Sequence, residues 1–249
     1  MDAEERLRIE GVSLTPGSET QDETVRRGEI VGLAGLDGHG QEAFLEILAG
    51  LRPPPSGRVV VRLASGDALA VTGFRQATRC GVAYLARDRR ANGIFPSLSI
   101  LDNFAMVTLD SDTRFGLISG RRRRRRFQTY RERLSIVAPA GEHAVTTLSG
   151  GNQQKVLLAR WLAREPRVLL LNDPTRGVDQ RTREALYQTF RDLARNEGMA
   201  LVVLSSEIEE ILRLCDRVLV FREQRLAARF SGAAMSSETV IAAMFGRRA

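Results

Sequence analysis

The residues best suited to chemistry in this sequence are the octet Leu148-Ser149-Gly150-Gly151-Asn152-Gln153-Gln154-Lys155. Two adjacent glycines let a backbone approach an anion with no Cβ in the way, and a helix is expected to begin directly after them. The free N–H groups and positive dipole end of that helix point at the same place, where Ser149 adds a hydroxyl. The pattern suits phosphate. A Ser-Gly-Gly turn that merely caps a helix accounts for the same residues, and turn chemistry alone does not separate the two readings. A second glycine cluster, Gly35-Leu36-Asp37-Gly38-His39-Gly40, lies between an apolar run and a helical one.

Such turns need elements to hold them. Short apolar runs predict strands over 6–14, 29–33, 58–63, 82–85, 168–171, 201–204 and 217–221. Helical spacing and stop signals predict helices over 41–49, 74–80, 100–108, 120–137, 152–164, 181–196, 207–214 and 237–245. Strands alternating with helices, each strand a continuous apolar run, argue an α/β fold with a parallel sheet. The stretch 88–147 has a different, helical texture and reads as an insertion at the ligand edge of that sheet.

Composition narrows the class. The chain has 249 residues, 43% hydrophobic and 27% charged, enough to bury a sizeable core. No apolar run has the roughly 18–20 residues of a membrane span, and the opening ten residues are charged throughout, unlike a secretory signal. Cys80 and Cys215 do not make a disulfide framework, and His39 and His143 lack ligand-like company, so no metal site of the His/Cys type is expected. The net charge of +7 invites a nucleic-acid reading, but residues 114–133 hold nine Arg and one Glu, leaving the rest of the chain at −1. The run Arg121–Arg126 spreads around a helix with no aromatic platform between its members, and reads as a solvated helix rather than a base-binding face. No nucleic-acid partner is expected. Only one lysine, Lys155, occurs among 37 basic residues, so any position that requires lysine deserves inspection.

The octet resembles the signature sequence of the ATP-binding-cassette (ABC) ATPases. Roughly twenty residues on, Val168-Leu169-Leu170-Leu171-Asn172-Asp173-Pro174-Thr175-Arg176-Gly177-Val178-Asp179 is similar to that family's Walker B strand and D-loop. The Thr-Arg-Gly-Val-Asp ending resembles the sugar-import ATPases that carry two cassettes in one polypeptide. The resemblance implies a P-loop NTPase cassette with a RecA-like parallel-sheet core, a β-rich N-terminal part and a helical subdomain inserted over about 88–147, one cassette filling 1–249.

The departures from the family pattern carry the physics. Gly35, Gly38 and Gly40 keep the glycine spacing of a Walker A loop, but Gln41 and Glu42 stand where Lys and then Ser or Thr belong. A neutral amide replaces a cation whose contact with a phosphate involves on the order of 4 kcal/mol at an effective dielectric near 20. Glu42 adds negative charge beside an anionic ligand; an N-terminal helix carboxylate favoured by the dipole is the plainer reading of it. Asn172 stands at the metal-linked Asp position and Asp173 at the catalytic Glu position, one methylene short; a misplacement of about 1 Å in a positioned base costs on the order of 100-fold. Ser206 falls at the switch-histidine position and Arg87 at the Q-loop position, and residues 1–43 contain no Phe, Tyr or Trp to stack on adenine. The signature residues Leu148, Ser149, Gly150, Gly151 and Gln153 and the D-loop Asp179 keep their types.

The resemblance therefore implies the second, degenerate cassette of a ribose-, galactose- or xylose-type importer. Its signature would grip ATP, with Mg²⁺, held by a first cassette, fused or separate. Implied partners are transmembrane permease subunits and, indirectly, a periplasmic or extracellular solute-binding protein. The implied location is cytoplasmic, peripheral on the inner face of the cell membrane. A nucleoside importer, a soluble ABC protein acting on nucleic acid, and a competent homodimeric ATPase are the competing expectations.

Overall fold

The computed structural model describes residues 4–114 and 116–247. In chain order the elements are β1 (Glu5–Ser13), β2 (Gln21–Arg26), β3 (Ile30–Gly35), α1 (Gln41–Leu48), β4 (Ser56–Arg62), β5 (Ala68–Ala70), α2 (Phe74–Arg79) and β6 (Val82–Leu85). After a single π-type turn at Arg89–Gly93 come α3 (Ile100–Ala105), α4 (Leu109–Asp112), the two-residue strands β7 (Thr113–Arg114) and β8 (Leu117–Ile118), and α5 (Gly120–Arg133). The remainder is α6 (Gly150–Leu162), β9 (Val168–Asn172), α7 (Gln180–Arg195), β10 (Ala200–Leu204), α8 (Ile208–Leu214), β11 (Arg217–Arg222), β12 (Arg225–Ser231) and α9 (Ser237–Met244).

The chain divides into two compact units. The first comprises Met1–Tyr84, Pro166–Pro174 and Phe190–Ala249. It holds a six-stranded sheet in the order β12-β11-β3-β10-β9-β6 and a four-stranded sheet in the order β2-β1-β4-β5. In the larger sheet β11, β3, β10 and β9 run parallel, and β12 adds an antiparallel edge. Every residue of β9 and β10 is buried, as the unbroken apolar runs require of strands covered on both faces. The smaller sheet is antiparallel throughout. Phe44 of α1 packs on Phe221 of β11 with ring centroids 5.1 Å apart, inside a core shared with Leu33, Leu170 and Val202.

The second unit comprises Leu85–Glu165 and Thr175–Thr189, a wider span than the 88–147 segment read from the sequence, because the signature helix α6 belongs to it. Phe104 anchors its core against Phe127 and Tyr130, with centroids 5.3 and 5.9 Å away. Arg160, buried in this core, donates to the carbonyls of Asn103 (2.6 Å) and Gly93 (2.7 Å). Its burial lowers its pKa to about 10.

Several elements differ from the sequence reading. The basic helix stops at Arg133 rather than 137, because Leu134 closes it and Ser135 turns to φ 49°. Strands β2, β5, β7, β8 and β12 were not expected. Their sequences are polar or short because each lies at a sheet edge with one face in solvent, which removes the continuous apolar run.

Candidate functional site

In the first unit the carboxyl ends of the parallel strands converge, where open α/β sheets place ligands. The register pairs Leu204 with Asn172 and with Leu33, so the residues after β3, β9 and β10 share one edge. The glycine turn after β3 enters α1 through Gly40 at φ 111°; a methyl there would meet Leu14 Cδ1 at 2.6 Å, so the position needs glycine. The turn is tied down from both sides. The His39 amide donates to the Leu36 carbonyl (2.9 Å), and Gln224 donates its backbone amide to the His39 carbonyl (3.0 Å) and its side-chain amide to Gly38.

Gln41 does not project from this turn. It is 7% exposed, and its Nε2 donates back to the carbonyls of Gly35 (3.2 Å) and Leu36 (2.9 Å). The neutral amide closes the loop upon itself. Glu42 is also engaged: its Oε1 accepts from Asn172 Nδ2 at 3.2 Å, and the same amide lies 3.3 Å from Tyr84 Oη. Burial, as the main cause, raises the Tyr84 pKa. The two positions where the resemblance asks for metal ligands are thus joined directly by a hydrogen bond. Tyr84 escaped sequence reading because its only signal is its place near the end of β6, beside β9.

Asp173 follows β9 in a left-handed conformation, φ 46°. Its Oδ1 accepts from the Ser206 amide (2.7 Å) and from Ser206 Oγ (3.1 Å). The structure therefore brings Gly35, Gly38, Gly40, Gln41, Glu42, Asn172, Asp173 and Ser206 to one edge; the amide nitrogens of Gln41 and Asn172 are hydrogen-bonded there, while Gln41 Oε1 and Asn172 Oδ1 are buried without a hydrogen-bond partner among the described residues.

The signature turn belongs to the second unit. Ser149 is exposed and caps α6, accepting from the Asn152 amide (3.4 Å) and from Asn152 Nδ2 (3.0 Å). Gly150 is half-buried and Gly151 buried against Thr182, where a methyl would lie 2.8 Å from Thr182 Oγ1. Leu148 is buried beneath the turn. Gln153, expected at the phosphate, turns back: its Nε2 donates to the carbonyls of Leu148 (3.1 Å) and Val145 (3.4 Å). Asp179 caps α7 through the Thr182 amide (3.0 Å) and Thr182 Oγ1 (2.8 Å), bonds that hold its carboxyl below the usual range. Arg87 is half-buried between β6 and the π-type turn. Lys155, its pKa lowered by burial, donates to the Ser135 carbonyl at 3.1 Å.

The arginine run is sorted by helical position. Arg123 pairs with Asp102, Arg124 with Glu142 and Arg126 with the fully buried Asp112. Arg121, Arg122 and Arg125 face solvent. The solvated-helix reading therefore holds for only part of the run.

A family model described as ABC transporter matches residues 19–176. Ribose import ATP-binding protein RbsA 2 of Rhizobium etli is 38% identical over 238 residues, which is 94% of this chain and 46% of that protein. Putative ribose/galactose/methyl galactoside import ATP-binding protein 3 of Agrobacterium fabrum is 38% identical over 222 residues, 89% of this chain and 44% of that protein. The chain spans less than half the length of these relatives. Among solved structures, a dimeric post-hydrolysis state of the ATP-binding cassette MJ0796 bound to ADP and Pi matches with a TM-score of 0.76 at 24% identity, covering 90% of this chain and 98% of that one. The ADP conformation of the cassette MJ1267 matches with a TM-score of 0.79 at 15% identity, covering 98% and 99%. These two likenesses establish the fold.

Proposed function

The chain belongs to the ABC transporter family, and from that premise we propose that it is the signature-donating cassette of an importer for a monosaccharide of the ribose or galactose kind. In this reading it presents Ser149, Gly150 and Gly151 to an ATP held by a partner cassette, and its own phosphate loop holds none. The carrying observation is the return of the Gln41 amide onto the Gly35 and Leu36 carbonyls. The residues at that loop do not fit an ATP–Mg²⁺ unit: no cation follows Gly40, no hydroxyl follows Gln41, and Asn172 is hydrogen-bonded to Glu42.

The signature tip does fit a triphosphate. Ser149 is exposed at the start of a 13-residue helix, with two glycines beside it. ATP bound there would supply the phosphoanhydride whose cleavage resets the complex; the role of this chain is to grip and orient. The partners are a first cassette, fused or separate, and permease subunits, with a solute-binding protein acting through them. The place of work is the cytoplasmic face of the membrane. Relatives named as ribose and ribose/galactose import proteins, each about twice as long, support a two-cassette arrangement.

Calorimetry of ATP–Mg²⁺ against the chain alone, and against the chain with a first cassette, tests the reading. Binding is expected only in the second case. Tight Mg²⁺-dependent binding to the chain alone overturns it, as does undiminished ATP turnover of the assembled complex carrying Ser149→Arg.

A further inference from the structure

Arg89 has no part in the scheme above, yet its guanidinium occupies the centre of the signature turn's surroundings. It donates through Nη1 to the Arg176 carbonyl (2.9 Å) and through Nη2 to the Gly177 carbonyl (3.2 Å). Gly150 lies against the same group: a methyl there would sit 2.5 Å from Arg89 Nη2 and 3.3 Å from the Gly177 carbonyl. On the other side Gly151 lies against Thr182, which Asp179 holds through two hydrogen bonds. The contacts close a ring from Arg89 through Gly177, Asp179, Thr182 and Gly151 back to Gly150, all within the second unit.

The neighbouring charges leave Arg89 free for this task. The Asp88 carboxylate is taken by the amides of Arg90 (2.9 Å) and Ala91 (3.0 Å), and starts the π-type turn from which Arg89 projects. Burial lowers the Arg89 pKa, yet a guanidinium keeps its charge and its planar fork at any working pH. A fork that spans two successive carbonyls fixes orientation in a way that a point charge does not.

We infer that Arg89 is a positioning residue that locks the signature tip and the Arg176–Asp179 turn into one block, so that both meet a partner's nucleotide together. The inference rests on the signature-donating reading. A side chain at position 150 would have to displace the guanidinium from the Arg176 and Gly177 carbonyls.

Two measurements test it. In the chain alone, Arg89→Ala is expected to raise amide hydrogen exchange about tenfold or more in both 148–152 and 176–180; an increase confined to one segment, or none, overturns the ring. In the complex assembled with a first cassette and permease, Arg89→Ala is expected to lower kcat for ATP about tenfold with KM within about twofold, since the tip is engaged after ATP has bound elsewhere. Arg89→Lys is expected to behave like the alanine variant, because lysine keeps the charge but loses the fork. Native kcat in Arg89→Ala, or full rescue by Arg89→Lys, overturns the inference. Ser149→Arg in the same complex separates the two readings: if it abolishes turnover while Arg89→Ala does not lower it, only the role of Arg89 fails; if it leaves turnover intact, the signature-donating reading itself fails.

Discussion

Asn172 and Glu42, 130 positions apart in sequence, are joined by a 3.2 Å hydrogen bond between amide and carboxylate. One comes from the end of β9 and the other from the first turn of α1. An amide can donate to that carboxylate; a second carboxylate cannot.

Asn172→Asp is therefore expected to destabilise the chain by about 1–3 kcal/mol at pH 8, because a buried ionised carboxylate would replace the amide donor and face the Glu42 carboxylate. The penalty should shrink as pH falls toward the ordinary carboxylate range at about 4. Melting temperature measured at both pH values checks this, and about 10 mM Mg²⁺ should recover part of the loss in the variant but not in the native chain. A variant that melts like the native chain at pH 8 would refute the contact.

Gln41 offers a second handle. Gln41→Ala leaves the Gly35 and Leu36 carbonyls without their side-chain donor, an expected cost of about 1–3 kcal/mol in urea unfolding. Gln41→Glu should cost more, since it turns an acceptor toward two acceptors. Equal midpoints for all three proteins would mean that the fold-back contributes nothing.

Within the arginine run, unequal effects are expected. Arg126→Ala strands the fully buried Asp112 and should cost about 3–5 kcal/mol. Alanine at Arg121, Arg122 or Arg125, which face solvent, should stay within about 0.5 kcal/mol. Urea midpoints of the four variants decide between a sorted helix and a uniform one.

Acid behaviour supplies a further check. The Ser99 hydroxyl and the Arg123 guanidinium hold the Asp102 carboxyl below its ordinary value of 3.8. A depressed carboxyl stabilises the fold above its unfolded value, and the contribution is lost as pH falls through the folded one. Asp102→Asn should thus flatten the loss of stability below about pH 4 while leaving the slope above pH 6 unchanged, as read from melting curves. A native-like acid slope in the variant would exclude Asp102 as a contributor.

Much of the fold was legible because buried parallel strands write themselves as apolar runs: 168–171, 201–204 and 217–221 each fell within two residues of the observed strand. Edge strands such as Arg225–Ser231 set Leu226, Ala228 and Phe230 alternately with exposed residues and carry no such run, so they stayed hidden. At the candidate site, residue types were legible and their partners were not. Glycine spacing marked Gly35 to Gly40, and the absence of lysine at position 41 pointed to altered chemistry. That Gln41 would fold inward depends on two carbonyls whose directions only the completed turn sets. Tyr84 was overlooked, and the contacts of Arg89 were not legible, for a related reason, since each acts through backbone or amide groups brought near by distant parts of the chain.

The seat of the Gln41 amide also bears on how such a protein can change over generations. Lysine at this one position would remove the side-chain donor from two carbonyls, while Glu42 and Asn172 would still be tied to each other. Each step taken alone passes through a poorer protein. Under the proposed signature-donating role, an independent nucleotide site would return only through several coincident substitutions, so reliance on a second cassette would persist.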